Sequence, residues 1–279
     1  MIAFATCLRL PEPDPDAQPL LEAVRALGAK AEWLAWDDPA ADLARCELCV
    51  VRSTWDYIHR LDDFLAWAER ASEATRLLNP YPVIRWNADK RYLRDLERRG
   101  VRVVPTVYVP KGSPAALREL LDGRGWEDVV IKPQIGAASF ATRRFDAGDP
   151  EAESFLRGCV AERDMMVQPY VRSVEGRGER ALVWIDGELT HAVRKAPRFS
   201  GRQECVSAEP IAADEAEFAA KVLEPFKADL LYARVDAARA DDGALMLMEF
   251  ELIEPSLFLL QEPRALARLA AACVRRAKG

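Results

Sequence analysis

The 279-residue chain has only two histidines, His59 and His191, and its six cysteines are scattered. Cys46 and Cys49 form a lone C-x-x-C, with His59 the only histidine near it in sequence. A zinc site needs a second ligand pair, so both cysteines are expected as reduced residues in or near the core. Positive charge is not in excess either. Lys and Arg number 39 against 45 Asp and Glu, a net charge of −6. Such a chain has no general attraction for a phosphodiester backbone, which argues against nucleic acid as a partner. No apolar run approaches membrane-span length, so no membrane partner is expected. The N-terminus runs straight into Ile2-Ala-Phe-Ala-Thr-Cys7, without the basic segment and long apolar core of a signal peptide; a cytoplasmic location is expected. Neither G-x-G-x-x-G after the first strand nor G-x-x-x-x-G-K-[ST] occurs, so the dinucleotide fingerprint and the P-loop are both missing. There is no internal repeat and no low-complexity segment.

What is present is a globular balance: half the residues are hydrophobic and 30% are charged. The length suits two or three small domains or one large one. Residues 1–86 alternate strand-like and helix-like segments, which implies a parallel sheet with helices packed on it. Arg52-Ser53-Thr54-Trp55-Asp56-Tyr57 follows the third strand, at the carboxyl edge where open α/β sheets bind ligands. The other reading is a helix start, with Ser53 or Thr54 as its cap. Asn79-Pro80-Tyr81-Pro82 marks a boundary. A helix is then expected from Trp86-Asn87-Ala88-Asp89-Lys90 to Arg99, capped by Asn87 or Asp89. Lys90 stands at the wrong end of that helix for a cation, so it either meets an anion or lies in solvent.

Two further lysines stand out. Lys132 ends the apolar strand Val129-Val130-Ile131, where an unpaired cation is costly. The small-residue loop Gly136-Ala137-Ala138-Ser139 follows, able to bring backbone amides to phosphate. A strand ending in Lys-Pro and a turn is the plainer account. Asp186-Gly187 predicts a hairpin with Glu179 opposite Arg194 and Val183 opposite Thr190. Its second strand delivers Arg194, Lys195 and Arg198, either a phosphate-binding set or a solvated face.

The strongest signal is Leu230 to Ser256. A two-residue turn at Asp242-Gly243 sets Asp236 opposite Glu249 and Arg234 opposite Glu251. Strand alternation puts Glu249 and Glu251 on one face. Opposed like charges destabilise a ladder unless a cation neutralises them, and oxygen donors without His or Cys suit Mg²⁺. Salt bridges to Arg234 are the alternative.

The order of these motifs resembles the ATP-grasp superfamily, within it the group of cyclo-ligases acting on O-ureido-serine. The likeness runs from Trp36-Asp-Asp-Pro39 through Arg52–Tyr57, Asn79-Pro80, Trp86–Lys90, Pro105-Thr106 and His191-Ala-Val to Glu249-Phe-Glu-Leu-Ile-Glu-Pro-Ser-Leu257. Glutathione synthetase and D-alanine ligase look like more distant relatives. The resemblance implies an ATP-grasp α/β fold: an N-terminal parallel domain, 1–86, then two α+β lobes, 87–167 and 168–279, that clamp ATP. Lys90 and Lys132 would hold phosphates under a lid of Gly136, Ala137 and Ser139. Gln168, Pro169, Tyr170 and Val171 would form the link that reads adenine, and Glu175 would bind ribose. Lys195, Arg234 and Arg202 would serve the transferred phosphate. Asp236, Glu249 and Glu251 would hold two Mg²⁺ ions, with Mn²⁺ able to substitute. Arg52, Ser53, Thr54, Trp55, Asp56 and Arg198 are the candidates for gripping a small amino-acid-like substrate.

The implied function is an ADP-forming ligase working through an acyl phosphate, in the inter- or intramolecular sense, as a homodimer by family analogy. Two other readings remain: an ATP-grasp protein that senses nucleotide without turnover, and an α/β binder of a small acid without ATP. The chain departs from the wider pattern in having Glu249-Phe-Glu251 where many relatives have Glu-x-Asn. Its lid is poor in glycine, and Ser200–Pro210 lacks the glycine pair of the cyclo-ligase group.

Overall fold

The computed structural model describes residues 1–196 and 205–278 and contains three sheets. The first is parallel, ordered β2-β1-β3-β4, with β1 Ile2–Thr6, β2 Ala31–Ala35, β3 Leu48–Ser53 and β4 Arg76–Leu78. All six positions of β3 are buried, as expected for a parallel strand covered on both faces. Helix α1, Ala17–Ala26, shares a core with Ile2 and Phe4; helix α2, Leu61–Ala74, shares one with the alternating Ala3 and Ala5. Phe64, Trp67, Ala68 and Ala71 form the buried stripe of α2 at helical spacing.

Where one helix was expected up to Arg99, there are two: α3 Tyr81–Asn87 and α4 Tyr92–Arg98. Lys90 sits in the turn between them. Its N–H donates to the Gln134 carbonyl (3.0 Å) and is drawn out of any helical ladder. Asp89 caps that turn by accepting from Arg91 N (2.8 Å), whereas Asn87 is used elsewhere.

The second sheet is antiparallel, ordered β5-β8-β6-β7, with β5 Val107–Val109, β6 Asp128–Pro133, β7 Arg143–Asp146 and β8 Met165–Pro169. Helices α5, Leu117–Leu121, and α6, Pro150–Val160, pack on it around its own core of Val109, Val129, Ile131, Leu156 and Met165. After a single-turn helix α7, Ser173–Gly176, comes the third sheet, also antiparallel. It comprises β9 Glu179–Ile185, β10 Glu188–Lys195, β11 Val206–Glu209, β12 Tyr232–Arg239 and β13 Leu245–Glu251, ordered β11-β10-β9-β12-β13. Helix α8 is Ala213–Leu223 and α9 is Pro263–Ala277. The face of α9 bearing Leu269, Ala272 and Cys273 joins Phe4 and Leu20 with Val183 and Tyr232, so the first and third sheets share one core. Arg275 and Arg276 in its last turn bind Asp186 at the β9–β10 turn. Burial works against ionising Asp186, but the two guanidiniums hold its carboxyl below the usual range.

Both hairpins differ from a regular ladder by one residue. Asp186 (φ 45°) and Gly187 (φ 93°) form the expected turn with two positive φ values. A bulge at Thr190 then shifts the register, so Lys195, not Arg194, faces Glu179, and His191 faces Val183. The Thr190 hydroxyl donates to the Val183 carbonyl (3.1 Å). In the β12–β13 hairpin only Gly243 has positive φ (82°), and Ala240 pairs with Ala244 around a three-residue loop rather than the expected two. A bulge at Met248 takes up the extra residue. Asp236 therefore does face Glu249, and Arg234 faces Glu251.

Strand β13 is an edge strand, but its outer backbone groups are satisfied. Leu247 bonds to Arg102 O and Val104 N. The Tyr92 hydroxyl accepts from Phe250 N (3.0 Å). The Asn87 amide donates to Phe250 O (2.7 Å) and accepts from Leu252 N (2.8 Å). Asn79 donates to Leu252 O and Tyr232 O and accepts from Leu231 N. Asn87→Ala should cost about 3 kcal/mol, because it strands a buried carbonyl and a buried amide together. A lower urea midpoint at unchanged slope is the expected result.

Candidate active site

A cleft of about 250 Å³ lies among the three sheets. Lys132, ending β6, points its Nζ at Glu249 Oε1 (3.0 Å). Lys90 Nζ donates to the Gly136 carbonyl (2.7 Å) and lies 3.9 Å from Glu249 Oε2. Lys195 bridges Glu179 and Asp236, at 2.7 Å to each. Arg234 grips Asp236 with two parallel bonds of 2.8 Å and also reaches Glu251. The acids are thus neutralised by the site's own lysines and arginine, the salt-bridge alternative of the sequence reading.

The Asp236 carboxylate is 1% exposed and both its oxygens are taken. Burial works against its charge, but Arg234 and Lys195 outweigh it and hold its carboxyl well below the usual range. Glu249 is likewise opposed by burial and held down to about 2 by Lys90 and Lys132. The reverse holds for Glu179 and Glu251. Burial, reinforced by Asp236, pushes each up to about 7 against the pull of Lys195 and Arg234 respectively. Glu249 and Glu251 keep side chains about a quarter exposed, at 25% and 28%. Their hard oxygens, with no His or Cys beside them, fit Mg²⁺. No three acids, cysteines or histidines among the described residues stand together as a ready-made metal group. Metal binding by Glu249 and Glu251 therefore fits the donors, and Asp236 joins only if Lys195 or Arg234 yields.

Gly136, Ala137 and Ser139, the expected lid, line the cleft, with positive φ at Ala138, Ser139 and Ala141. A Cβ on Gly136 would come within 2.9 Å of Pro133 Cγ. Beyond them, Phe140 meets His59 edge-on (4.9 Å) and lies under Arg163 (5.0 Å), a contact of the lid with the N-terminal region that sequence reasoning missed. Gln168, Pro169, Tyr170 and Val171 line the cleft as expected. The Gln168 side chain is turned to Thr106 Oγ1 (2.8 Å), and Tyr170 N is already bonded to Asp128 O.

Other expected residues are placed differently. Glu175 pairs with Arg144 (2.7 Å) in a neighbouring surface hollow and does not line the cleft, because Arg144, stacked on the Tyr170 ring at 3.7 Å, draws it outward. Arg52, 2% exposed, donates to Pro255 O (3.2 Å) and lies over the Tyr232 ring instead of facing ligand. Ser53 contacts Thr6, and Thr54 is fully buried; neither caps a helix. Asp56 accepts from Trp36 Nε1 and Arg60. Of this segment's candidates only Trp55 lines the cleft, its Nε1 donating to Glu254 O (2.9 Å). Arg198 and Arg202 lie outside the described residues. His191 is an anchor, bonded to Thr190 Oγ1 and Leu257 O, and burial lowers its pKa. Burial likewise raises the Cys46 and Cys49 thiols, consistent with reduced core residues. No helix among the described residues is long and apolar enough to cross a membrane.

Sequence reasoning also missed Glu254, which lines the cleft at 9% exposure. Burial, and then Glu251, push its carboxyl up to about 8. A carboxyl that stays protonated when folded adds stability below the ordinary carboxylate range, and that contribution is lost as pH rises towards 8. Glu254→Gln should therefore raise the melting temperature of the ligand-free protein by about 5 °C near pH 8 and by little near pH 5.

Compared with known proteins, residues 2–79 match the family model of the N-terminal domain of D-cycloserine synthetase DcsG. The cycloserine biosynthesis protein DcsG of Streptomyces lavendulae is 37% identical over 289 residues, covering 95% of each chain. The chain belongs to the D-cycloserine synthetase family. The crystal structure of D-cycloserine synthetase DcsG superposes with a TM-score of 0.90 at 35% identity, covering 99% of both chains. The ATP-grasp ligase PsnB, solved with a minimal precursor, Mg and ADP, matches at 0.67 with 20% identity, over 99% of this chain and 97% of that one. The three sheets are therefore those of the ATP-grasp fold, as the order of motifs implied.

Proposed function

We propose that this D-cycloserine synthetase family protein closes a small amino-acid-like substrate on itself, as an ATP-dependent, ADP-forming ligase. The observation that carries the reading is the arrangement of Lys132, Lys195 and Arg234 around Glu249, Asp236 and Glu251 on an ATP-grasp frame. The substrate carboxylate attacks the γ-phosphorus, ADP leaves, and an acyl phosphate forms. A nitrogen of the same molecule then attacks the acyl carbon, and phosphate leaves as the C–N bond forms. Glu249 and Glu251 would hold Mg²⁺, as two ions with Mn²⁺ able to replace them, and the metal would supply neutralisation of the phosphate charge. Lys90 and Lys132 hold phosphates, while Arg234 and Lys195 face the transferred group; positioning and charge are most of what this chemistry needs. The lid 136–139 excludes water from the acyl phosphate. A homodimer through the N-terminal region belongs to the same reading and is checked by light scattering.

The deciding experiment is phosphate release with Mg-ATP across amino acids and β-substituted serines, with product mass. Release dependent on one substrate, giving a product lighter by one water and no second amine consumed, is expected. Silence across the panel with Mg-ATP still raising the melting temperature would favour the nucleotide-sensor alternative.

A further inference from the structure

The charges in the cleft are divided. Among the described residues its cations are Lys90, Lys132, Lys195 and Arg234, and all four are salt-bridged to Glu249, Glu179, Asp236 or Glu251. Glu254 lies past the end of β13, in the part of the cleft bounded by Trp55, Tyr57 and Ile253. Its backbone carbonyl is fixed by Trp55 Nε1. Its carboxyl feels Glu251 and, more weakly, Lys90 and Arg234, yet no other described residue donates a hydrogen bond to it. Its own backbone N–H is the one donor that acts on it among the described residues, and because the side chain lines the cleft it can still pair with an incoming cation. Glu254 follows Glu251 by three residues, at most about 10 Å of chain, so both acids lie at the same end of the cleft.

We propose that Glu254 receives the amino group of the substrate, so that the enzyme selects amino acids over the same acids lacking the amine. The assignment rests on the ligase reading for its choice of substrate class. It places the substrate carboxylate towards Arg234 and Lys195 and the ammonium towards Glu254, with the aromatic rings of Trp55 and Tyr57 beside the side chain.

The test is calorimetric binding of O-methylserine and its deaminated counterpart 3-methoxypropanoate to the full chain holding Mg²⁺ and a non-hydrolysable ATP analogue. Wild type should prefer the amine about 100-fold, and Glu254→Gln should lose that preference while binding 3-methoxypropanoate within about twofold of wild type. An unchanged Mg-ATP thermal shift in the variant confirms that it folds. Equal binding of the two probes by wild type, equal losses in the variant, or a raised Mg²⁺ requirement in the variant would overturn the assignment. Phosphate release is scored separately. Discrimination without turnover leaves Glu254 as the amine acceptor and sinks the ligase reading; turnover without discrimination does the reverse.

Discussion

Lys132→Ala should lower substrate-dependent phosphate release by about 100- to 1,000-fold, the range seen when one preorganised charge donor is removed from a reacting group. The ammonium sits at the mouth of β6, 3.0 Å from Glu249, on a strand whose Ile131 is fully buried, so its position is set by the sheet core. Loss of this lysine also leaves Glu249, among the described residues, with Lys90 alone at 3.9 Å. The acid's pKa should climb from about 2, and metal affinity should weaken as pH falls towards its new value. Single-turnover ADP formation at saturating Mg-ATP is the measurement. A rate within threefold of wild type would remove Lys132 from the phosphate site.

Glu249→Gln should be as damaging, for a different reason. It removes the carboxylate that both faces the cleft and neutralises two lysines. If the protein is a ligase, turnover falls about 1,000-fold and stays low however much Mg²⁺ is added, because charge placement in the transition state is lost. If it only senses nucleotide, Mg²⁺ at higher concentration restores the full Mg-ATP thermal shift and nothing else changes. Titrating Mg²⁺ against both the shift and phosphate release separates the two outcomes.

The acid cluster was legible in sequence because strand alternation depends only on counting, and Asp236, Glu249 and Glu251 count to one face. The count succeeded despite two errors. The loop at 241–243 has three residues, and the bulge at Met248 cancels it. No such cancellation occurs in the other hairpin, where Thr190 bulges and hands the cleft-facing position to Lys195. Nothing local marks Thr190 or Met248 as bulge residues; cross-strand partners decide. Arg52 misled for a similar reason. A cation at a strand's carboxyl end reads as ligand-facing, but Pro255 and Tyr232, some 200 and 180 residues away in sequence, enclose it. Asn79 and Asn87 sit in turn- and cap-like sequence, which conceals that their amides serve a distant strand edge. Glu254 stands in plain view in the quoted motif. Its burial, not its spacing, is what distinguishes it.

The closed outer edge of β13 divides the molecule mechanically. Because Asn79, Asn87, Tyr92 and residues 102–104 are all bonded to that edge or its neighbours, and the first and third sheets share a core, the acids ride on one stiff body. The sheet of β5 to β8 has a main core of its own, joined to the third sheet's cores through Met166 and Val130, and its polar ties across the cleft include Lys132 to Glu249 and Lys90 to the carbonyls of Gly136 and Gln134. Opening should therefore be a rotation of residues 107–169 against a stationary remainder. Lys132 and Lys90 are also the groups that phosphates would engage. Nucleotide entry and release of this latch are then one event, and amide exchange should speed up in the lid and β6 without loosening β12 or β13.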